Sequence, residues 1–372
     1  MDDRTVLRGG YGVFFTQVST DEAHQSALYT VSAVAERLND GREDFAENPF
    51  NGPVPSFEEV LATACDVTGI RPGCLRRELT SEINHPWRKG SYSHQTSVGV
   101  QRQLWATMAV EANYVFTGGR GEENTYNINL RYDPATGVNY PFRDINLRPF
   151  PEWGLVNFGF LEGNSNYHGL ETSFTKRFAN RWQASGTYTL AGFWDGTPPP
   201  PVIAMVDGTL TRSELGFDVA PDLGGEYSLA AADQRHRAVF NGIWDVGAGF
   251  QVSGLYFFGS GTRRTTNYGG DLRNVGGTAV SEQRLRPDGT IVARNDFVSD
   301  PIHRVDMRVQ KRIGLGGNRS IAGVFEVFNL FNHENYGSYT TQESSASYGQ
   351  PSFNSNLAYQ ARMLQLGFRL AF

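Results

Sequence analysis

The chain has 372 residues, of which 13% are aromatic and 42 are glycine, and its formal net charge at pH 7 is −6. The modest negative charge and the scattered lysines and arginines argue against a nucleic-acid partner. No apolar run reaches the roughly 18 residues of a membrane helix, which excludes helical spans but not membrane strands, whose alternation averages to polar.

The N-terminal region begins with a predicted strand and continues into a long, turn-rich loop. No apolar leader precedes the strand, so we expect either a protein that is not exported or a piece of a longer one. Cys65 and Cys74 lie nine residues apart in CDVTGIRPGC. A loop disulfide and two unpaired thiols both fit this spacing, and no neighbouring Cys or His pair indicates zinc.

Alternation of apolar and polar residues predicts an all-β protein. In residues 105–116, for example, Met108, Val110 and Ala112 share one face while Glu111 takes the other. A period of two over about ten residues is the signature of a strand with two different faces. The ten predicted strands lie near residues 4–17, 91–103, 105–117, 165–178, 181–193, 232–246, 249–260, 302–314, 318–331 and 358–372.

The connections between these strands alternate in length. Short turns are predicted around Leu104 and within FANR (178–181), VGAG (246–249) and LGGN (315–318), whereas the other connections have about 26 to about 70 residues. Short turns at one end and long loops at the other are typical of an outer-membrane barrel. We therefore predict an antiparallel transmembrane β-barrel with short periplasmic turns and long extracellular loops.

Three tryptophans support this interpretation. Trp105, Trp182 and Trp244 each lie within a few residues of a short turn. Indole rings favour the membrane–water boundary, so the three predict part of a periplasmic aromatic girdle. The core of a soluble β protein is the alternative.

The last predicted strand, MLQLGFRLAF, alternates strictly. Its apolar residues are expected to face lipid and its polar residues, Gln365 and Arg369, to face the lumen. We also expect this strand to close the sheet against its first member. The apolar residues are Leu364, Leu366, Phe368, Leu370 and Phe372.

Charged residues in the two preceding strands share the expected lumen face. Arg304, Asp306 and Arg308 alternate along one strand, and Glu326 lies on its neighbour. They could line a solute path or hold an internal domain, and a solvated wall of mutually paired charges is the simpler interpretation.

No catalytic or metal site is predicted. Arg235, His236 and Arg237 do not converge, because alternation directs the histidine away from both arginines. GLGGN (314–318) lacks the lysine of a phosphate-binding loop, and Gly337 stands where a zinc HExxH motif after His333 needs its second histidine. There is no GxSxG motif.

The long loops contain the only weak candidates for ligand binding. Tyrosine and asparagine recognise sugars and peptides by stacking and side-chain hydrogen bonds, although they are equally common in any surface loop. The candidates are Tyr336, Tyr339, Tyr348, Asn332 and Asn335.

Five stretches, in this order, resemble one family. They are LRGGYGVFF (7–15), GNSNYHGLETSFTKRF (163–178), DQRHRAVFNGIWDV (233–246), FEVFNLFNHENYG (325–337) and MLQLGFRLAF (363–372). Together they resemble the C-terminal barrel of TonB-dependent outer-membrane receptors, most closely the Oar-like group with a carboxypeptidase-regulatory-like domain.

This resemblance implies the wall of a 22-strand barrel for uptake of a bulky nutrient, with outer-membrane lipid as its surroundings. The family's barrel assembly machinery recognises the terminal aromatic strand, here Phe368, Leu370 and Phe372. The TonB complex acts on such receptors through a plug domain. No cofactor is implied.

We interpret residues 1–372 as the C-terminal part of such a barrel, about 10–12 strands, without plug domain, TonB box or signal peptide. The alternative is a complete small outer-membrane barrel acting as a surface adhesin or a hydrolase. The substrate is not predicted.

Overall fold

The computed structural model describes most of the chain outside the long loops. The described residues are 3–16, 39–56, 58–59, 79–84, 90–130, 132–133, 138–142, 144–151, 153–196, 203–206, 209–212, 227–231, 233–272, 274, 283–352 and 357–372. Cys65 and Cys74, the candidates for a disulfide, lie outside them.

Ten long strands form one antiparallel sheet in which each strand pairs with the next along the chain. All ten predicted strands are therefore present. Their bounds are β1 Thr5–Phe15, β2 Tyr92–Trp105, β3 Met108–Asn127, β4 Trp153–Ala179, β5 Trp182–Gly196, β6 His236–Gly247, β7 Phe250–Gly259, β8 Ile302–Gly316, β9 Arg319–Phe328 and β10 Met363–Ala371.

Four two-residue turns lie at one end of the sheet, at residues 106–107, 180–181, 248–249 and 317–318. Asn180 and Arg181 have φ angles of 53° and 71°, as a type I′ hairpin requires. The first turn lies beyond its predicted place around Leu104, because β2 continues until Trp105 pairs with Met108. The long connections all lie at the opposite end.

The central strands β3 and β4 are longer than predicted. They pair as far as Asn127 and Asn157, so much of the predicted loop between residues 117 and 165 is sheet. The register shifts near Gly121, whose φ of 67° suits a bulge. The β3 part of this extension, residues 118–127, is rich in glycine and polar residues and shows no apolar alternation, whereas the β4 part, residues 153–161, is mostly apolar. An unpredicted strand, Leu79–Asn84, pairs in parallel with the start of β4.

The sheet is open. β1 pairs only with β2 and β10 only with β9 among the described residues, so the expected closure of the last strand against the first is not found within this chain. The described residues contain no helix that is long and apolar enough to cross a membrane.

No second layer covers the apolar face of the sheet within the described residues. The apolar side chains of β10 are open, with Leu366 81% and Phe368 77% exposed. Elsewhere large rings cover glycines of the same face: the ring of Phe240 occupies the place where its cross-strand partner Gly186 would carry a Cβ. The sheet is thus a single wall with two different surfaces.

Several short strands and one 3₁₀ turn lie outside the ten-strand path. Tyr227–Leu229 extends the sheet beside β5, and Ile145–Leu147 forms a 3₁₀ turn capped by Asp144. The remaining short ribbons are Tyr132–Asp133 with Val138–Asn139, Ile203–Val206 with Thr209–Arg212, Arg263–Arg264 with Phe297–Val298, and Asn335–Tyr336 with Leu357–Tyr359.

Candidate functional site

Paired charges lie on the polar face of the wall at β8 and β9. Arg304 donates through Nε to both carboxylate oxygens of Asp306 at 2.9 Å, and Asp306 also accepts the backbone N–H of Asn329 at 2.9 Å. Arg308 lies 3.6 Å from the carboxylate of Glu326. These four side chains are therefore paired with one another, and whether they border a solute path stays a prediction.

The register places all six predicted lumen-facing residues on one face. Arg308 pairs across strands with Glu326, and Glu326 pairs with Gln365. Arg369 lies four residues beyond Gln365 and therefore faces the same way. That this face borders a lumen stays a prediction.

The opposite face is apolar and carries an open basin of about 1310 Å³ between β3 and β8. Small residues, including Ala112, Gly186 and Gly242, form its floor. Trp182 and Trp244 stand at its turn end, and Tyr188 and Tyr256 at its loop end.

The three tryptophans near the turns share this apolar face. Trp182 and Trp244 are direct cross-strand partners, and Trp105 pairs with Met108. Trp105 and Trp244 are 65% and 57% exposed, so the described residues do not bury either side chain in a core. Lys176 is only 3% exposed; its ammonium lies 3.9 Å from the centre of the Trp182 ring and donates to the carbonyls of Ala179 and Trp182 at 2.8 Å.

At the loop end, the same face carries a row of tyrosine–histidine pairs, which we name the Tyr–His belt. In each pair the tyrosine hydroxyl is hydrogen-bonded to the histidine Nδ1 of a neighbouring strand. Each pair joins two strands that a long loop connects. The pairs are Tyr11–His94 at 2.8 Å, Tyr114–His168 at 2.7 Å, Tyr188–His236 at 2.8 Å and Tyr256–His303 at 3.1 Å.

The belt was missed in the sequence, where only His236 attracted attention. The signal was present as a recurring tyrosine followed two residues later by an apolar residue, with a histidine near the start of the next predicted strand. The register makes that apolar residue the direct partner of the histidine, as Phe116 is for His168.

Arg235 corrects the expectation that His236 points away from both neighbouring arginines. Arg235 precedes β6, so strict alternation does not apply to it. Its guanidinium lies over the Trp194 ring, 5.6 Å from the ring centre, on the face of the Tyr–His belt. Arg237 obeys the alternation and stacks with Phe257 on the polar face.

The tyrosine candidates in the last loops gather around Phe297. The Tyr339 and Tyr348 rings lie 5.4 and 6.0 Å from the Phe297 ring, and Tyr336 lies 6.5 Å from Tyr339. Burial raises the pKa values of the Tyr339 and Tyr348 hydroxyls, and a hydrogen bond to Glu334 raises the pKa of Tyr336. Tyr348 is 40% exposed and offers the most open ring.

The asparagine candidates hold the loop backbone. Asn335 is 1% exposed, donates to the carbonyls of His303 and His333, and accepts the N–H of His303. Asn332 accepts the N–H of Arg362 at 2.9 Å. We therefore limit the proposed ligand surface to the tyrosines.

An ion pair joins the two loops that carry this cluster. Arg286 donates to both carboxylate oxygens of Glu343, at 2.6 and 2.8 Å. The guanidinium lowers the pKa of the Glu343 carboxyl below its usual value. The loop residues form an interlocked layer rather than independent loops.

Comparisons with known proteins agree with this architecture. The chain matches the family described as "Outer membrane beta barrel domain" over residues 1–291. A comparison with curated protein sequences gave no match.

Several solved outer-membrane proteins resemble the structure at low identity. FpvA of Pseudomonas aeruginosa bound to a heterologous pyoverdine is 11% identical with a TM-score of 0.46, over 99% of this chain and 31% of that one. The transporter YddB of Escherichia coli is 11% identical with a TM-score of 0.38, over 78% and 33%. The ferric-catecholate receptor Fiu of E. coli K12 is 13% identical with a TM-score of 0.39, over 75% and 27%.

The chain thus spans about a third or less of the length of these solved proteins. The family match extends over most of the chain and through the first seven strands of the sheet. This chain belongs to the outer membrane β-barrel domain family, and its location is the outer membrane.

Proposed function

We propose that this chain forms part of the barrel wall of a TonB-dependent receptor that takes up a bulky nutrient across the outer membrane. The observation that carries the proposal is the open ten-strand wall with one apolar and one polar face. Unpaired strand edges are costly in lipid, where no water satisfies backbone groups. The free edges of β1 and β10 would be satisfied by further strands of a larger barrel.

The polar face supports the same proposal. The charges of Arg304, Asp306 and Arg308 on the wall would border a wide aqueous interior or an internal plug domain. The motif resemblance favours the Oar-like group within these receptors. We infer no catalytic role for the described residues.

Disulfide trapping separates a larger barrel from a small one closed by this chain alone. In the full chain, with Cys65 and Cys74 changed to serine, Gly367→Cys is combined with cysteines placed along β1, such as Gly10→Cys. The control pair is Val324→Cys with Gly367→Cys, direct partners across β9 and β10. We expect the control to cross-link and every β1–β10 pair to stay open, whereas efficient β1–β10 cross-linking would establish the complete small barrel.

Transport itself is tested in the source cells. Deletion of the gene should abolish growth on a large nutrient that deletion of the TonB system also abolishes, because both act in one energised uptake. Loss of surface adhesion without any nutrient defect would instead support the adhesin alternative.

A further inference from the structure

The Tyr–His belt lies near the height expected for the outer headgroup region of the membrane. Trp244 near the turns and His236 in the belt are eight residues apart on β6. At about 3.4 Å per residue this is ~27 Å along the strand. A strand tilt of about 40° reduces it to ~20 Å, close to the ~25 Å height of an outward apolar band.

An unpaired cation lies in this belt. The guanidinium of Arg235 makes no hydrogen bond or ion pair with any described residue, and it lies over the Trp194 ring, 5.6 Å from the ring centre. A cation on an apolar face is unfavourable unless an anion or water accompanies it. On a surface that faces lipid, the headgroup phosphates are the nearest anions.

A second donor lies next to this arginine. The Trp194 ring meets the His168 ring edge-on, with centres 5.9 Å apart. His168 uses Nδ1 with Tyr114, and its Nε2 makes no hydrogen bond to a described residue. The Tyr114 hydroxyl therefore fixes the imidazole ring and leaves one nitrogen for an external partner.

The local backbone is adapted to this arrangement. Gly192 is the cross-strand partner of His168. A Cβ at Gly192 would lie 2.4 Å from the Trp194 ring and 2.9 Å from a guanidinium nitrogen of Arg235. A residue without a side chain thus leaves room for the indole and the guanidinium.

We propose that Arg235 and His168 bind a phosphate group of an outer-leaflet lipid, with the acyl chains lying along the apolar basin. Phosphate accepts charge-assisted bonds from arginine, and Trp194 holds the guanidinium at the membrane boundary. The basin reaches Tyr188, and the exposed apolar side chains of Leu170 and Leu190 lie on the same face between Tyr188 and the proposed headgroup site, which gives the acyl chains an apolar path from one to the other. The occupant is a phosphorylated lipid.

The test measures lipid retention by native mass spectrometry on the full chain purified from outer membranes in detergent. The probes are diphosphoryl lipid A and the same lipid without phosphates. For Arg235→Gln combined with His168→Gln we expect retention of the phosphorylated lipid to weaken about tenfold or more, the change expected from ~1.4 kcal/mol. Arg237→Gln, two residues away on the polar face, is the matched control and should retain lipid normally.

Three results would overturn the proposal. They are equal retention by the double variant and the control, equal retention of the phosphate-free lipid, and complete displacement of the lipid by excess inorganic phosphate, which would indicate a free-phosphate site. Heat-modifiable migration on gels checks assembly of each variant. If the double variant does not assemble, the single variant Arg235→Lys is tested instead. Because lysine keeps the positive charge, this variant should retain the phosphorylated lipid. An assembled lysine variant that does not retain the phosphorylated lipid in preference to the phosphate-free lipid also refutes the proposal.

Discussion

The buried Lys176 offers the sharpest test of how the turn end of the sheet is stabilised. Its ammonium donates to the carbonyls of Ala179 and Trp182 at 2.8 Å, with a longer contact to that of Arg177 at 3.4 Å. It also lies 3.9 Å from the centre of the Trp182 ring. One side chain therefore closes the turn between β4 and β5 and anchors a girdle tryptophan.

Lys176→Met retains most of the apolar volume and removes the ammonium. Charge-assisted hydrogen bonds contribute about 1.5–3 kcal/mol each, and a desolvated cation–π contact about 2 kcal/mol. These terms share one ammonium and are offset by its desolvation, so we expect the free energy of unfolding to fall by ~2–4 kcal/mol. That loss is large for a single side chain outside any enzymatic site.

The neighbouring hairpin supplies a matched control. Lys311 donates to the carbonyl of Ala248 and lies 4.1 Å from the centre of the Phe250 ring, but it is more exposed than Lys176. Because Lys311 makes fewer hydrogen bonds and is more exposed to solvent, Lys311→Met should lower the free energy of unfolding by only about 1 kcal/mol.

The assay is urea unfolding of the assembled barrel in lipid vesicles, followed by tryptophan fluorescence, with the slope m compared between variants. Equal losses for Lys176→Met and Lys311→Met would refute the reasoning, because burial and bond number would then not decide the stability of the turns. A loss below ~1 kcal/mol for Lys176→Met would do the same.

Three further outcomes are expected. Tyr188→Phe removes one hydroxyl of the Tyr–His belt and should lower the free energy of unfolding by ~1 kcal/mol in urea titrations, and an unchanged midpoint would argue that the hydroxyl is equally satisfied by water. Phe372→Ala, or deletion of β10, should reduce the heat-modifiable folded form in outer membranes, whereas normal levels would count against β10 as the assembly signal. Because Arg286 depresses the pKa of Glu343, the ion pair stabilises loop docking above the unfolded carboxyl pKa of about 4.3 and is lost as pH falls through the lower folded value. Limited proteolysis of residues 338–352 should therefore increase at acidic pH, and for Glu343→Gln it should be high at every pH; a wild-type profile without this rise would refute the coupling.

Alternation and turn length in the sequence were enough to place the ten strands, because lipid on one side and water on the other impose a period of two. The same signal fails where the wall leaves the membrane. Residues 118–127 continue β3 through backbone pairing with β4, which needs no apolar face. Within residues 118–127 no apolar alternation marks that continuation, and the only signal is the mostly apolar run of residues 153–161 on the partner strand.

The Tyr–His belt was harder to foresee for a different reason. Its partners lie 83, 54, 48 and 47 residues apart in the chain, so their contact depends on strand register. Register follows from how each hairpin and loop is closed, and loop length alone does not determine it. Arg235 shows a related limit: it lies one residue before β6, where the alternation that places Arg237 no longer applies.

The distribution of polar groups over the two faces explains where specificity can arise in this fold. On the polar face, charged side chains form ion pairs within the fold, such as Arg304 with Asp306. In the last loops, asparagine side chains such as that of Asn335 donate hydrogen bonds to backbone carbonyls. At the loop end, the described residues leave two groups open: the ring of Tyr348, which is 40% exposed, and the guanidinium of Arg235, which lies over the Trp194 ring without an ion pair. Since binding needs groups that the fold has not already satisfied, recognition of a nutrient and of lipid should both occur at this end.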